Sequence, residues 1–163
     1  MFDKFLKKPI QIKFTIDGKP PKKEKPSLWS ENSNQTQQVL DLRQKAYDSS
    51  QKAGLDEPFH GPVKLTLTVY DPNPLERKDR PDYLGDLDAL IGGVFESLQP
   101  SPPEINKLKI HSSLKEKKEI RNDVALIIGD DAQITTTVSQ KRKSDRTFYT
   151  VLIEPDSNFN NNF

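Results

Sequence analysis

Asp86-Leu87-Asp88-Ala89-Leu90-Ile91-Gly92-Gly93-Val94-Phe95-Glu96-Ser97-Leu98 is the stretch on which the fold turns. Leu87, Leu90, Ile91, Val94, Phe95 and Leu98 recur at three-and-four spacing, which predicts an amphipathic helix with one buried stripe. Asp86 is a natural N-cap. Asp88 falls in the first turn, where exposed amides and the helix dipole favour negative charge. Gly92 and Gly93 each cost ~1 kcal/mol relative to alanine inside a helix. Such a cost predicts either the close approach of another backbone, a partner subunit's among the options, or a kink.

Outward from this helix the pattern alternates between strand and helix. Ile10, Ile12, Phe14 and Ile16 alternate with polar residues as a half-buried strand, stopped at Asp17-Gly18. Lys19 to Pro26 contains three prolines and predicts an extended basic loop. From about Ser33 to Ala53, Val39, Leu42, Ala46 and Ser50 share a helical face, and Gly54 is the stop. Val63, Leu65, Leu67 and Val69 form a second strand, ended by Asp71-Pro72-Asn73-Pro74, and a charged loop runs on to Gly85. Beyond the decisive helix, Pro100 to Asn122 is polar and predicts a surface excursion, with a short helix near Leu114 to Ile120. Ile134, Thr136 and Val138 alternate as a strand, Lys141 to Asp145 turns, and Thr147 to Ile153 returns, so these two strands are expected to form a hairpin. The order strand, helix, strand, helix, strand, strand predicts an α+β fold with helices packed on a mixed β-sheet. We expect one domain over 1–155 with an insertion at about 100–123, and a disordered asparagine-rich tail over 156–163.

The charge is nearly balanced, 25 basic against 24 acidic residues in 163, so net charge implies no nucleic-acid partner and only its distribution can. Lysines crowd the segment up to Lys25, a second basic run lies at Lys141, Arg142, Lys143 and Arg146, and acid gathers at Asp82, Asp86, Asp88, Asp130 and Asp131. The absence of cysteine excludes disulfides, thiolate zinc sites and a cysteine nucleophile. No apolar run is long enough to span a membrane and no signal peptide is visible, so the expected address is the cytoplasm.

Asp86 and Asp88 stand two residues apart at a helix start, and Asp130-Asp131 precedes a strand. If the two motifs meet, their carboxylates repel and some take up protons unless a hard divalent cation resolves the conflict. Mg²⁺ prefers oxygen ligands and keeps several waters, and such a site can activate water and stabilise the departing oxygen of a phosphodiester. The same residues have a plainer reading, in which Asp86 caps a helix, Asp88 complements its dipole and Asp130-Asp131 makes a turn.

The segment order resembles the RusA family of crossover-junction endodeoxyribonucleases. Asp86-Leu87-Asp88 opens the apolar helix, and Ile128-Gly129-Asp130-Asp131-Ala132-Gln133-Ile134 leads into a strand. Pro20-Pro21-Lys22-Lys23 is similar to the family's proline-rich basic loop. The resemblance covers roughly residues 10 to 154 in element order and about thirty residues in motif. It implies a homodimer that resolves four-way (Holliday) DNA junctions in recombination and repair. The implied metal is Mg²⁺, or Mn²⁺ in its place, with Asp86, Asp88 and Asp131 as catalytic ligands and Asp130 as an accessory. Three departures stand out. Ala89 replaces the usual asparagine, Gly92 replaces a lysine that assists at the scissile phosphate, and about twenty-five residues are inserted before the aspartate pair. The missing charge would have to come from Lys22, Lys23, Lys25 or Arg80. The alternative is a RusA-like DNA-binding protein with weakened or lost catalysis.

Lys22, Lys23, Lys25, Arg80, Lys141, Arg142 and Lys143 are the candidate DNA contacts, since lysine and arginine neutralise phosphates without reading sequence. A solvated loop accounts for Lys22, Lys23 and Lys25 as simply, and an ordinary charged hairpin tip accounts for Lys141, Arg142, Lys143 and Arg146 more simply. Trp29 is expected to anchor its loop, with base stacking as the other option. Tyr83 is placed to hydrogen-bond a phosphate, while His60 and His111 have no partners at metal spacing.

Overall fold

The computed structural model describes residues 9–30, 32–80, 83–99 and 131–159. Its elements are β1 (Ile12–Asp17), α1 (Thr36–Ala53), β2 (Val63–Asp71), α2 (Leu87–Leu98), a 3-10 turn (Asp131–Gln133), β3 (Ile134–Lys143) and β4 (Phe148–Pro155). This is the α+β class and element order expected from the sequence. The predicted insertion falls outside the described residues. Among the described residues no helix is long and apolar enough to cross a membrane.

The four strands form one mixed sheet in the order β1-β4-β2-β3. β4 runs antiparallel to both β1 and β2, and β2 runs parallel to β3. The expected β3–β4 hairpin is therefore absent: β2 lies between the two strands. The polar composition of β3 explains its place. A strand reading Ile-Thr-Thr-Thr-Val-Ser-Gln-Lys-Arg-Lys suits an edge, where charge and lack of apolar surface discourage further pairing. β2 and β4 bury Val63, Leu65, Leu67, Val69, Tyr149, Val151 and Ile153 and take the centre. The Ser144–Thr147 connection crosses the end of β2 and is fastened there. The Ser144 N–H donates to the Asp71 carbonyl at 3.1 Å, and the Thr147 hydroxyl donates to the buried Asp71 carboxylate.

α1 packs on β1, α2 on β3, and the helices touch each other, so one sheet face is covered. Ile12, Phe14, Leu42, Ala46, Leu90, Val94 and Leu98 join the strand residues in a single core. Gly54, at φ +77°, ends α1 as expected. A register shift where β2 pairs with β3 leaves Thr135 unpaired. Beyond it, Thr137, Ser139 and Lys141 align with the core-facing residues of β2, while Val138 aligns with Thr66 and is 41% exposed. Residues 156–159, where the expected disordered tail begins, make a turn. Asp156 accepts hydrogen bonds from the Thr135 and Thr136 hydroxyls, which hold its carboxyl below the usual carboxylate range.

A satellite cluster of Leu28, Trp29, Val39 and Leu40 fixes the loop after β1 against α1, so Trp29 serves as an anchor. Beneath it lies Arg43, fully buried. Its Nη1 donates to the carbonyls of Ser97 (2.7 Å) and Gln99 (2.8 Å), and its guanidinium lies 5.2 Å from the Trp29 ring centroid. Those carbonyls belong to the last turn of α2 and just beyond it, where helical partners run out and a cation is favoured. Arg43→Ala is expected to lower stability by about 3 kcal/mol, from lost charge-assisted bonds and the cavity left behind. A urea unfolding midpoint equal to the parent's would contradict this role.

Candidate active site

The loop after β1 lies across the first half of α2, and the paired glycines are what admit it. A Cβ on Gly93 would stand 2.0 Å from the Pro21 carbonyl oxygen. A Cβ on Gly92 would stand 3.2 Å from Cβ and Cδ of Lys23. The Lys23 N–H donates to the Ala89 carbonyl at 2.8 Å. Gln35, at the start of α1, grips the same loop: its Oε1 accepts from the Lys22 N–H at 2.7 Å and its Nε2 donates to the Lys22 carbonyl at 3.0 Å. Of the two options at Gly92-Gly93, a kink or a close backbone, a close backbone is found, and it is the chain's own.

This docking places Lys22 near Gly85 and Lys23 along the middle of α2. The Lys23 stem runs over Gly92, and its amine reaches Glu96 at 3.7 Å. Asp88, Gly92 and Glu96 follow one line along the helix, four residues apart. Lys22 lies 5.0 Å from the Tyr83 ring centroid and 3.5 Å from Glu24. Lys78 approaches Asp86 at 3.9 Å.

Asp86 occupies the N-cap position with extended backbone, and its carbonyl accepts the first helical bond from Leu90 at 3.0 Å. Its side chain makes no cap hydrogen bond, a departure from the capping expected of it. The reason is Tyr83, whose hydroxyl donates to Asp86 Oδ1 at 2.8 Å and turns the carboxylate outward. That hydrogen bond, with the nearby negative charge, raises the Tyr83 phenol above the ordinary tyrosine range. An ultraviolet difference titration against Tyr83→Phe is expected to show Tyr83 ionising at higher pH than free tyrosine. Asp86→Asn should bring it back toward the free value, and an unchanged titration in that variant would exclude the bond. Asp88 is exposed in the first turn and takes no hydrogen bond or ion pair from a described residue.

Asp131 opens the 3-10 turn before β3. The turn is fastened to the segment before β2 by Gln133, whose Nε2 donates to the carbonyls of Phe59 and, at 3.1 Å, Gly61. The Asp131 side chain and all of Asp130 lie outside the described residues. Asp86 and Asp88 are both exposed at the start of α2. Among the described residues no group of three histidine, aspartate or glutamate side chains has the spacing to hold a metal.

The predicted basic residues separate into groups. Lys22 and Lys23 belong to the α2 site, and Lys25 is exposed on the same loop. Arg80 and Lys143 line a concavity of about 520 Å³ with Arg77 and Leu75. Strand alternation splits the Lys141–Lys143 run. Lys141 aligns with core-facing Val69, whereas Arg142 aligns with Tyr70 on the open face and donates to Gln140 Oε1. Lys78, Glu96 and the orienting role of Tyr83 escaped the sequence reading. Only the spacing of Glu96 two helical turns after Asp88 carried a signal. His60 pairs with Glu57 at 3.1 Å and touches none of this. The chain matches no protein-family model and no curated protein.

Proposed function

We propose that the chain is a Mg²⁺-dependent endonuclease acting on four-way DNA junctions. The observation that carries this reading is the pair Asp86 and Asp88, both exposed at the start of α2, with Lys78 against Asp86 and the Lys22–Lys23 loop docked on the same helix. The donor set fits the ion: Mg²⁺ takes hard oxygens and is commonly held by one or two carboxylates, with waters completing the shell. Asp86 and Asp88 would hold it, with Asp131 as the third ligand and Asp130 orienting the turn. Mn²⁺ suits the same donors. The chemistry such a bound ion supplies is activation of water and neutralisation of charge on the phosphodiester.

The remaining work falls to the chain's own groups. Tyr83 orients Asp86 through their hydrogen bond. The Lys23 stem passes over Gly92, the helix position at which proteins of the resembling family carry a lysine, and its amine, exposed and paired with Glu96, would leave that partner to supply the missing charge from the loop. Lys22 and Lys25 contact phosphates on either side. Two copies of the chain would each cut one of two opposed strands.

A second reading is junction binding without hydrolysis. One observation favours it: the Asp86 carboxylate is already engaged by Tyr83 and Lys78, and a metal must compete with both. A labelled synthetic four-way junction tests the two together. Nicks that require Mg²⁺ or Mn²⁺ and vanish with chelator are expected. Full binding without nicks under either metal would leave the second reading standing, and no binding at low salt would end both.

A further inference from the structure

One large apolar side chain stands out from the turn after β2. Leu75 is 88% exposed, well above Phe159 and Val138, the other exposed large apolar side chains among the described residues. Single exposed leucines are ordinary. This one is held out by a stiff support. It is the third residue of a turn closed by the Glu76 N–H on the Asn73 carbonyl at 3.1 Å, with Pro74 fixing the second position. The Asn73 N–H donates to Asp71 Oδ2 at 2.9 Å, and Asp71 is itself buried and tied to Thr147. A side chain so presented loses little freedom when it inserts into a partner.

Three cations, with Glu76 among them, share a concavity with Leu75. Arg77, Arg80 and Lys143 line the concavity beside Leu75, with Pro72 and Pro74 forming its apolar part. Arg77–Asp79 (3.8 Å) is an exposed pair and Arg80–Glu76 (3.6 Å) joins an exposed guanidinium to a part-buried carboxylate, and at these distances phosphates can displace both. Lys78, in the same loop, reaches Asp86. An apolar tip flanked by arginines is the combination that unstacks a base step while cations hold the backbone on both sides.

We infer that Leu75 is a wedge that enters nucleic acid at an unpaired or weakly stacked step, with Arg77, Arg80 and Lys143 gripping the adjacent phosphates. The inference deepens the proposed function and rests on its nucleic-acid partner, but not on hydrolysis. The probe is a four-way junction, and a matched duplex, carrying 2-aminopurine beside the branch point, in Ca²⁺ without Mg²⁺. The parent chain is expected to raise the fluorescence at least twofold on the junction. Leu75→Ala should abolish the rise and reduce the preference for junction over duplex roughly tenfold. Leu75→Met should preserve both, and Arg77→Ala with Arg80→Ala should weaken junction and duplex binding alike. The exposure of Leu75 means that its replacement leaves folding intact, as a urea midpoint will verify. A parent chain that gives no rise, or a Leu75→Ala chain that matches the parent, overturns the wedge. Metal-dependent nicking that survives in such a chain would leave the proposed function intact, whereas a Leu75-dependent rise with no nicking would sink the hydrolysis and keep the wedge.

Discussion

Asp88→Asn is expected to lower metal-dependent nicking of a four-way junction by about two orders of magnitude or more, ~2.7 kcal/mol of transition-state stabilisation. The fold should be little affected. Asp88 is exposed and takes no hydrogen bond or ion pair from a described residue, so its replacement leaves nothing buried unsatisfied. Loss of negative charge in the first turn of α2 costs about 0.3–1 kcal/mol, and relief of repulsion from Asp86 offsets part of that. The informative outcome is therefore a split: collapsed turnover, a near-parental urea midpoint and retained junction binding by anisotropy. Parental nicking rates in the variant would remove Asp88 from the chemistry.

Gly93→Ala should be the most damaging glycine-to-alanine change among the described residues. The new Cβ would lie 2.0 Å from the Pro21 carbonyl oxygen, 2.5 Å from its carbon and 2.8 Å from Lys22 Cα. All three are backbone atoms in a loop pinned by Gln35 and by Ala89, so no rotamer change relieves the contact. Alanine returns ~1 kcal/mol of helix propensity. Even so, a net loss of about 3 kcal/mol is expected, at the upper end of overpacking costs, with the loop displaced and nicking impaired through Lys22 and Lys23. Gly92→Ala makes the contrast. Its Cβ would meet Lys23 Cβ and Cδ at 3.2 Å, a contact relieved by a shift of a few tenths of an ångström and offset by ~1 kcal/mol of helix propensity, so the loss of stability should be far smaller than for Gly93→Ala while the amine is displaced. Thermal unfolding of the pair checks this directly, and equal midpoints would refute it.

The helix Leu87–Leu98 was legible because periodicity and flanking residues agree on it. The cost of the glycine pair demanded a reason, and a close backbone or a kink would each have met it. Whose backbone it was depended on how a distant proline loop folds back, and no local pattern encodes that. The β3–β4 hairpin was misread for a related reason. Turn chemistry at Ser144–Thr147 is the same whether the next strand pairs with its predecessor or passes over an intervening one, and the deciding contacts come from Asp71, far upstream. The unpaired Thr135 reversed the faces of everything after it, which a simple alternation of Ile134, Thr136 and Val138 could not signal. The splitting of Lys141 from Arg142 was available in principle from strand periodicity alone. For the carboxylates, spacing located Asp86 and Asp88 together. The tie between Asp86 and Tyr83 depends on the turn between them, and the nuclease reading itself rests on the family resemblance.

The crossing of the Ser144–Thr147 connection over the end of β2 also has a bearing on how the chain is made. Every ladder of the sheet joins strands remote in sequence, and the latest described strand, β4, is the one that links β1 to β2. A nascent polypeptide that has emerged only as far as β3 can complete a single ladder, and its β1 is left without a neighbour. Acquisition of structure during translation should therefore be abrupt, deferred until β4 clears the ribosome, and slow by the standard of sheets built from adjacent hairpins.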